Sequence, residues 1–302
     1  MKRYAVRHET KYTYAAQVEF GLHIARLSPV NSALQQRIDH VIDVSPMPAW
    51  AMAFSDHFGN GLHHFAIETA HTEFTVVQKT TVEITASSLT ADSPAPAWET
   101  VQDGMRADAF PEFPEPAEFI YPSPLVAIDP AATAYAAESF TPGASLLAAA
   151  FDLTKRIKAD FAYVPGSTTI DTPVAEIMAK RHGVCQDFTH AMISGLRGLG
   201  LPARYVSGYL KTHGPAPKPD TPKKPEEASL VGADASHAWV SVWCGPEVGW
   251  VEFDPTNALM VAEEHIAVAY GRDFTDVTPL RGLITGGGAH TLAVAVAVEL
   301  LA

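Results

Sequence analysis

A period of two runs through Tyr4, Val6, His8, Thr10 and Tyr12 and returns at Phe74, Val76, Val82 and Ile84. Successive strand side chains point to opposite faces, so this repeat predicts strands buried on one face and wetted on the other. Ser28-Pro29-Val30-Asn31, Ser45-Pro46-Met47-Pro48 and Phe58-Gly59-Asn60-Gly61 fall between the runs as turn signals. Their spacing predicts a small antiparallel β-sandwich over residues 1–95.

Beyond Pro94 the period is lost. Residues 96–142, densest in proline at Phe110-Pro111-Glu112-Phe113-Pro114-Glu115-Pro116, read as a connector packed on the surface. Helical spacing begins after Thr141-Pro142-Gly143, where Leu146, Ala150, Leu153 and Ile157 share one face. Thr172 as N-cap, Pro173 at the first position and Gly183 as the stop predict a second helix from Pro173 to His182. A third helix starts close to Cys185, carries Phe188, Met192, Leu196 and Leu199 on one stripe, and ends in Gly198 and Gly200.

Strands are expected at Ala203–Leu210, His237–Trp243 and Trp250–Asp254, the last two joined by a short turn through Gly245-Pro246-Glu247-Val248-Gly249. Lys211–Ser236 carries Pro215, Pro217, Pro219, Pro222 and Pro225 among charged residues. It cannot build a core and, lying directly before His237, is expected to act as a mobile lid. Leu292, Val294, Val296, Val298 and Leu300 alternate with small residues and predict a final strand covered on both faces. Helices followed by strands give an α+β core over residues 143–302, with no internal repeat.

Charge and composition exclude several functions. Against 34 acidic residues stand 21 basic ones, a formal net charge of −13 with no Lys/Arg cluster, so nucleic acid and anionic membrane are not expected as partners. No apolar run reaches the roughly 20 residues of a membrane span, and Met-Lys-Arg leads into Tyr4-Ala5-Val6-Arg7-His8 rather than an apolar signal core. A cytoplasmic location is expected. Cys185 and Cys244, the only two cysteines, are too few for a disulfide scaffold and read as separate thiols.

A lone cysteine is most often buried and inert. Cys185 differs in its position at a helix N-terminus, where free backbone N–H groups and the helix dipole favour a thiolate and a developing oxyanion. A cysteine nucleophile also needs a base and a group that orients the base. Sixteen residues separate His237 from Asp254, so an even-numbered hairpin loop puts them opposite one another on one face. That register also pairs residue 241 with 250 and residue 243 with 248, leaving Cys244 to Glu247 as a four-residue loop.

Four motifs carry a resemblance: Gly183-Val184-Cys185-Gln186-Asp187-Phe188-Thr189-His190, Ala203-Arg204-Tyr205-Val206-Ser207-Gly208-Tyr209, Ser236-His237-Ala238-Trp239-Val240, and Trp250-Val251-Glu252-Phe253-Asp254-Pro255-Thr256-Asn257. Together, across about 75 residues, they resemble the bacterial transglutaminase-like family. Asp56-His57-Phe58-Gly59-Asn60 with His64-Phe65, and the tail Gly271-Arg272-Asp273-Phe274-Thr275-Asp276-Val277, are similar to the family's N-terminal β domain and tail. The resemblance implies a papain-like, transglutaminase-like catalytic core preceded by the β domain. It implies Cys185 as nucleophile, His237 as general base and acid, Asp254 as orienter, and Tyr163 as a second oxyanion donor. A cysteine protease or amidase-like hydrolase acting on a protein or peptide substrate is expected through a thioester. Amine transfer, and a binding or assembly module on the same fold, are the alternatives.

No cofactor and no metal are expected. His182-x-x-Cys185 with His190 has the look of a ligand cluster, but these residues fall at the end of one helix and beyond the first turn of the next and do not converge. No calcium loop of alternating acids is visible. Gln186 and Asp187 flank the thiol and are kept out of the triad, Asp187 being expected to cap the helix or tether a neighbouring loop.

Overall fold

The computed structural model describes residues 1–211, 230–231 and 236–301. Lys211–Ser236, the expected lid, therefore lies outside the described residues except for Lys211, Leu230, Val231 and Ser236.

The first period-two run is one 27-residue strand, β1 (Lys2–Ser28), with Tyr4, Val6, His8 and Thr10 buried. After it come β2 (Gln35–Ser45), β3 (Trp50–Ser55), β4 (Gly61–Ile67) and β5 (His71–Ile84). β1 pairs β5 along its first half and β4 along its second, and β2 and β3 pair β5 and β4 in the same way. Each ribbon breaks at one level, after Thr13 in β1, at Pro46–Ala49, and at Glu68–Ala70. A single antiparallel sheet that bends at one level curls over itself. The result is a half-barrel in place of the expected two-sheet sandwich. Leu27, Phe65, Ile67, Phe74 and Val76 fill its concavity.

The stretch expected to be a surface connector is built into the core. It holds α1 (Trp98–Arg106), a 3-10 turn over Glu115–Ile120, and α2 (Pro130–Ala137), whose Ala132 and Ala136 are buried. Next come α3 (Leu146–Asp160), with the expected Leu146, Ala150, Leu153 and Ile157 face inward, and the two-residue strand β6 (Ala162–Tyr163). α4 (Val174–Lys180) stops before the expected Gly183, because Arg181 takes the left-handed conformation at φ 50° and ends it. β7 (His182–Gly183) then pairs in parallel with β6.

α5 (Cys185–Gly198) is the central helix. Gly195 and Gly198 let α2 approach closely: a Cβ at Gly195 would meet the Ala132 carbonyl, and one at Gly198 would overlap the Thr133 side chain. The opposite side of α5 lies on a five-stranded antiparallel sheet made by β8 (Ala203–Leu210), β9 (His237–Trp243), β10 (Trp250–Asp254), β11 (Leu259–Met260) and β12 (His265–Gly271), in the order β11-β10-β9-β8-β12. Phe188, Met192, Ile193 and Leu196 join Val240, Val242 and Phe253 in this core. Truncating Phe188 to alanine is expected to cost about 3–5 kcal/mol, read as a lower urea midpoint.

After α6 (Phe274–Val277) the chain leaves the core. β13 (Leu280–Gly286) and β14 (His290–Leu301) return to the half-barrel and pair the free side of β1, breaking at Gly287–Ala289 level with the other bends. The core expected over residues 143–302 thus gives up its last two strands to the N-terminal sheet. β14 is also not covered on both faces: Val296 and Val298 are buried, while Leu292, Val294 and Leu300 are exposed.

The half-barrel grips the outer edge of β12 with side-chain amides. Gln35 Nε2 donates to the Ala267 carbonyl at 2.8 Å and its Oε1 accepts from Ala267 N at 2.9 Å. Asn60 does the same to Tyr270, accepting from its N at 2.8 Å and donating to its carbonyl at 2.7 Å. The N–H and carbonyl groups of Ala267 and Tyr270, which a further strand would have paired, are thus taken up by side-chain amides, with Val30 N a second donor to the Ala267 carbonyl at 3.1 Å.

Buried imidazoles make this packing acid-sensitive. His8 bridges Tyr209 and Thr10, each at 2.9 Å, and burial pushes it down to about 4. Burial also lowers His23, His40 and His190 to about 4. The unfolded chain binds these protons near pH 6.5 and the folded chain does not. Their contribution is therefore complete above about 6.5 and is lost as pH falls towards 4, by up to ~1.4 kcal/mol per pH unit for a fully buried group. The urea midpoint should drop steeply between pH 6.5 and 5, and less steeply in His8→Gln. An unchanged slope in that variant would contradict the assignment.

Candidate active site

The sequence places a thiol at the start of a helix and the fold supports that start from three sides. Asp187 is buried, and its Oδ2 accepts from Val184 N and from Thr168 Oγ1, each at 2.7 Å. It therefore both caps α5 and tethers the preceding loop. Burial raises its carboxyl above the usual range, opposed by those two donors and by His182. Gln186 Nε2 donates to the Ile170 carbonyl at 2.9 Å and ties down the same loop. Gly183 is glycine for a reason other than stopping a helix: a Cβ there would strike the Asp187 carboxylate. Gly183→Ala is expected to destabilise by about 1–3 kcal/mol, checked by thermal unfolding.

Cys185 itself is half-buried at the first position of α5. Tyr163 pairs with Gly183 through β6 and β7, two residues before the thiol, and its ring lies edge-on to Phe188 at 6.3 Å. Cys244 sits in the hairpin after β9, fully enclosed. Its thiol is pushed far above the ordinary range by burial.

His237 and Asp254 meet as expected, through a different register. β9 and β10 pair residue 243 with 250 and residue 240 with 253, two residues away from the expected alignment. The loop is longer than four residues. Gly245 and Gly249, at φ 93° and 76°, close it through Cys244 N to the Gly249 carbonyl at 2.8 Å. A slip of two residues leaves every side chain on its own face. His237 and Asp254 thus become diagonal neighbours, with Nε2 to Oδ2 at 2.9 Å and both side chains fully buried.

Burial alone would lower His237. The Asp254 charge and hydrogen bond, with Cys185 as a lesser contribution, outweigh it and raise the imidazole to about 10. Nε2 serves Asp254, and the buried Nδ1 is left without a hydrogen-bond partner. Asp254 is held well below the carboxylate range, because His237 and His265 together overcome the burial that would raise it. Its Oδ1 accepts from Thr256 N at 2.9 Å and Asn257 N at 3.2 Å, and its Oδ2 accepts from Asn257 Nδ2 at 2.7 Å and His265 Nε2 at 3.0 Å.

His265 and Asn257 were not singled out by sequence reasoning. Asn257 was visible in the Asp-Pro-Thr-Asn turn, three residues after Asp254. His265 belongs to a strand whose pairing with β8 no local pattern announces. Behind His265 a cavity of about 230 Å³ opens between the half-barrel and the sheet, walled by Leu34, Leu89, Trp250, Glu252, Met260 and Tyr270.

Metal binding fits this arrangement poorly. His182 Nδ1 lies on Ser167 Oγ at 3.1 Å and His190 Nε2 accepts from Phe274 N at 3.4 Å, so neither joins Cys185. Among the described residues, His237, Asp254 and His265 are the group whose ligand atoms converge, within 4.8 Å of one another. There the Nε2 atoms face a carboxylate oxygen as N–H donors, with their lone pairs unavailable to an ion.

Comparison with known proteins matches two parts of the chain. Residues 4–83 match the model of the bacterial transglutaminase-like N-terminal region, and residues 133–255 match that of the transglutaminase-like superfamily core. An uncharacterized protein of Mycobacterium tuberculosis is 37% identical over 292 residues, covering 93% of this chain and 87% of the relative. One from Mycobacterium leprae is 33% identical over the whole of both chains. A protein-glutamine gamma-glutamyltransferase of Pseudomonas aeruginosa is 37% identical over 109 residues, 35% of this chain and 14% of that protein. The solved structure of a candidate cysteine protease from Cytophaga hutchinsonii superposes with a TM-score of 0.75 at 19% identity, covering 100% of this chain and 91% of that one. Half-barrel, central helix and curved core sheet are thus shared along the full length, and the chain belongs to the transglutaminase-like superfamily.

Proposed function

We propose that the protein is a thiol-dependent acyl-transfer enzyme that cleaves a carboxamide, peptide or isopeptide bond of a protein or peptide, with water as the resolving nucleophile. The observation that carries this reading is the fully buried His237–Asp254 pair, whose imidazole is raised first by the carboxylate and then by Cys185 and whose Nδ1 is left without a hydrogen-bond partner. The Cys185 sulfur attacks the carbonyl carbon while its proton resides on His237. The oxyanion forms against the Cys185 backbone N–H at the α5 N-terminus, with the Tyr163 hydroxyl as second donor. His237 passes its proton to the departing nitrogen as the carbon–nitrogen bond breaks, leaving a thioester on Cys185. Water then attacks, His237 takes its proton, and the acid and the free thiol are released.

The neighbours' descriptions, a candidate cysteine protease and a protein-glutamine gamma-glutamyltransferase, support a reading as chemistry at an amide carbonyl. Glutamine-containing and isopeptide-linked peptide libraries, with Cys185→Ala as control, test the reading. Ammonia or amine release without uptake of a fluorescent amine is the expected result. Amine incorporation would assign transfer in place of hydrolysis, and no Cys185-dependent product would favour a binding module. Tyr163→Phe should lower kcat by about tenfold or more while leaving the alkylation rate of Cys185 unchanged, as loss of an oxyanion donor requires.

A further inference from the structure

Asp254 is shared between two imidazoles. His265, 4% exposed, brings Nε2 to 3.0 Å from the oxygen that His237 holds at 2.9 Å. Its ring stands edge-on against Trp239, with centroids 5.1 Å apart at 82°, and Trp239 is itself fixed by Nε1 donating to Glu252 Oε2 at 2.7 Å. His265 is therefore locked in orientation by an indole that is locked in turn.

Its backbone is equally constrained. His265 begins β12, and two residues on, the Ala267 N–H and carbonyl are the groups that Gln35 grips from the half-barrel. A carboxylate that accepts from Thr256 N and Asn257 N on one oxygen, and from two ring nitrogens and an amide on the other, cannot rotate about its Cβ–Cγ bond without breaking several hydrogen bonds at once.

We propose that His265 is a positioning residue of the Cys185 site: it donates Nε2–H to Asp254 Oδ2 and fixes the carboxylate plane, so that His237 is held with Nδ1 towards the thiol. The inference rests on the reading of Cys185 as nucleophile. It gives the N-terminal half-barrel a role in that site, because Gln35 and Asn60 set the strand from which His265 reaches Asp254. The path from half-barrel to thiol then runs through β12, His265, Asp254 and His237.

The test uses the full chain and two readouts. Alkylation of Cys185 by iodoacetamide is followed by mass spectrometry across pH 5 to 9 in the parent, His265→Phe and His265→Gln. In His265→Phe the rate at pH 7 should fall about tenfold and the low-pH limb of the profile should move to higher pH, the size of effect expected from losing an outer partner of a site. In His265→Gln, whose amide N–H can replace Nε2–H, the rate should stay within about threefold of the parent. A parent-like profile in His265→Phe, or an equal loss in both variants with the limb unmoved, would overturn the proposal.

Nitrogen-15 NMR of the imidazoles in the parent reads the same bond without relying on any variant to fold. His265 should show hydrogen on Nε2, and a neutral ring with hydrogen on Nδ1 alone would overturn the proposal. If instead the parent's Cys185 alkylates no faster than the thiol of an unfolded chain, the reading of Cys185 fails. The NMR result then still decides whether His265 holds Asp254.

Discussion

His237→Ala is expected to slow the reaction of Cys185 with iodoacetamide at pH 7 by about tenfold and to lower any Cys185-dependent activity by about three orders of magnitude. A thiol without a partner is only a few per cent ionised at neutral pH, which sets the scale of the first effect. The second is larger because His237 is also the group that hands a proton to the leaving nitrogen. Cys244 supplies an internal reference. It is enclosed and its thiol is raised by burial, so it should remain unreactive in both proteins. Equal labelling of the two cysteines in the folded parent would contradict the pairing of Cys185 with His237.

Asp254→Asn should be more damaging than its near-identical shape suggests. The carboxylate accepts on both oxygens, from Thr256 N and Asn257 N on one side and from His237, His265 and Asn257 Nδ2 on the other. An amide has one acceptor and one donor. Whichever way it turns, its NH2 group faces buried N–H donors, and each stranded donor costs about 1–3 kcal/mol. A stability loss of at least about 2 kcal/mol is expected, together with a fall in activity of about 10³-fold or more as His237 loses the tautomer that serves the thiol. Retained activity with only a lower urea midpoint would mean that Asp254 holds the fold and not the base.

The pH behaviour of the pair follows from the same bonds. His237 is raised, so its charged form stabilises the folded state fully below about pH 6.5. That contribution is lost as pH rises towards 10. Asp254 is lowered, so its contribution is present above the ordinary carboxylate range and fades only in strong acid. Between the alkaline loss and the acid loss caused by the buried neutral imidazoles, stability should be greatest near neutrality.

What the residues announced and what they did not can be separated by the range of the interactions involved. α3 and α5 were legible because their buried faces repeat within a few residues: Leu146 to Ile157, and Phe188 to Leu196. The motif around Cys185 was legible for the same reason, since Gly183, Val184 and Asp187 meet within a single turn around it. His237 and Asp254 were matched by parity and by the motifs that carry them. Parity survived a register error of two residues that came from reading the turn closed by Gly245 and Gly249 as too short.

Long-range pairing was invisible. Alternation in Leu292 to Leu300 identifies a strand but not its partner, and β1 lies nearly the whole chain away. The period-two run from Tyr4 to Tyr12 shows only the front half of a 27-residue strand, and the bend after Thr13 has no proline or glycine of its own to announce the curl. His265 escaped for a related reason: its meaning depends on β12 crossing to the far side of β8, where strand order and not sequence order brings it to Asp254.

The most direct measurement is the mass of the intact protein within seconds of mixing with an activated acyl ester or a glutamine-containing peptide. An adduct of the acyl group's mass on Cys185, removed by hydroxylamine, absent in Cys185→Ala and long-lived in His237→Ala, is the result predicted for a thioester intermediate resolved with the help of His237. Turnover of substrate with no adduct on Cys185, and with equal rates in Cys185→Ala, would contradict it.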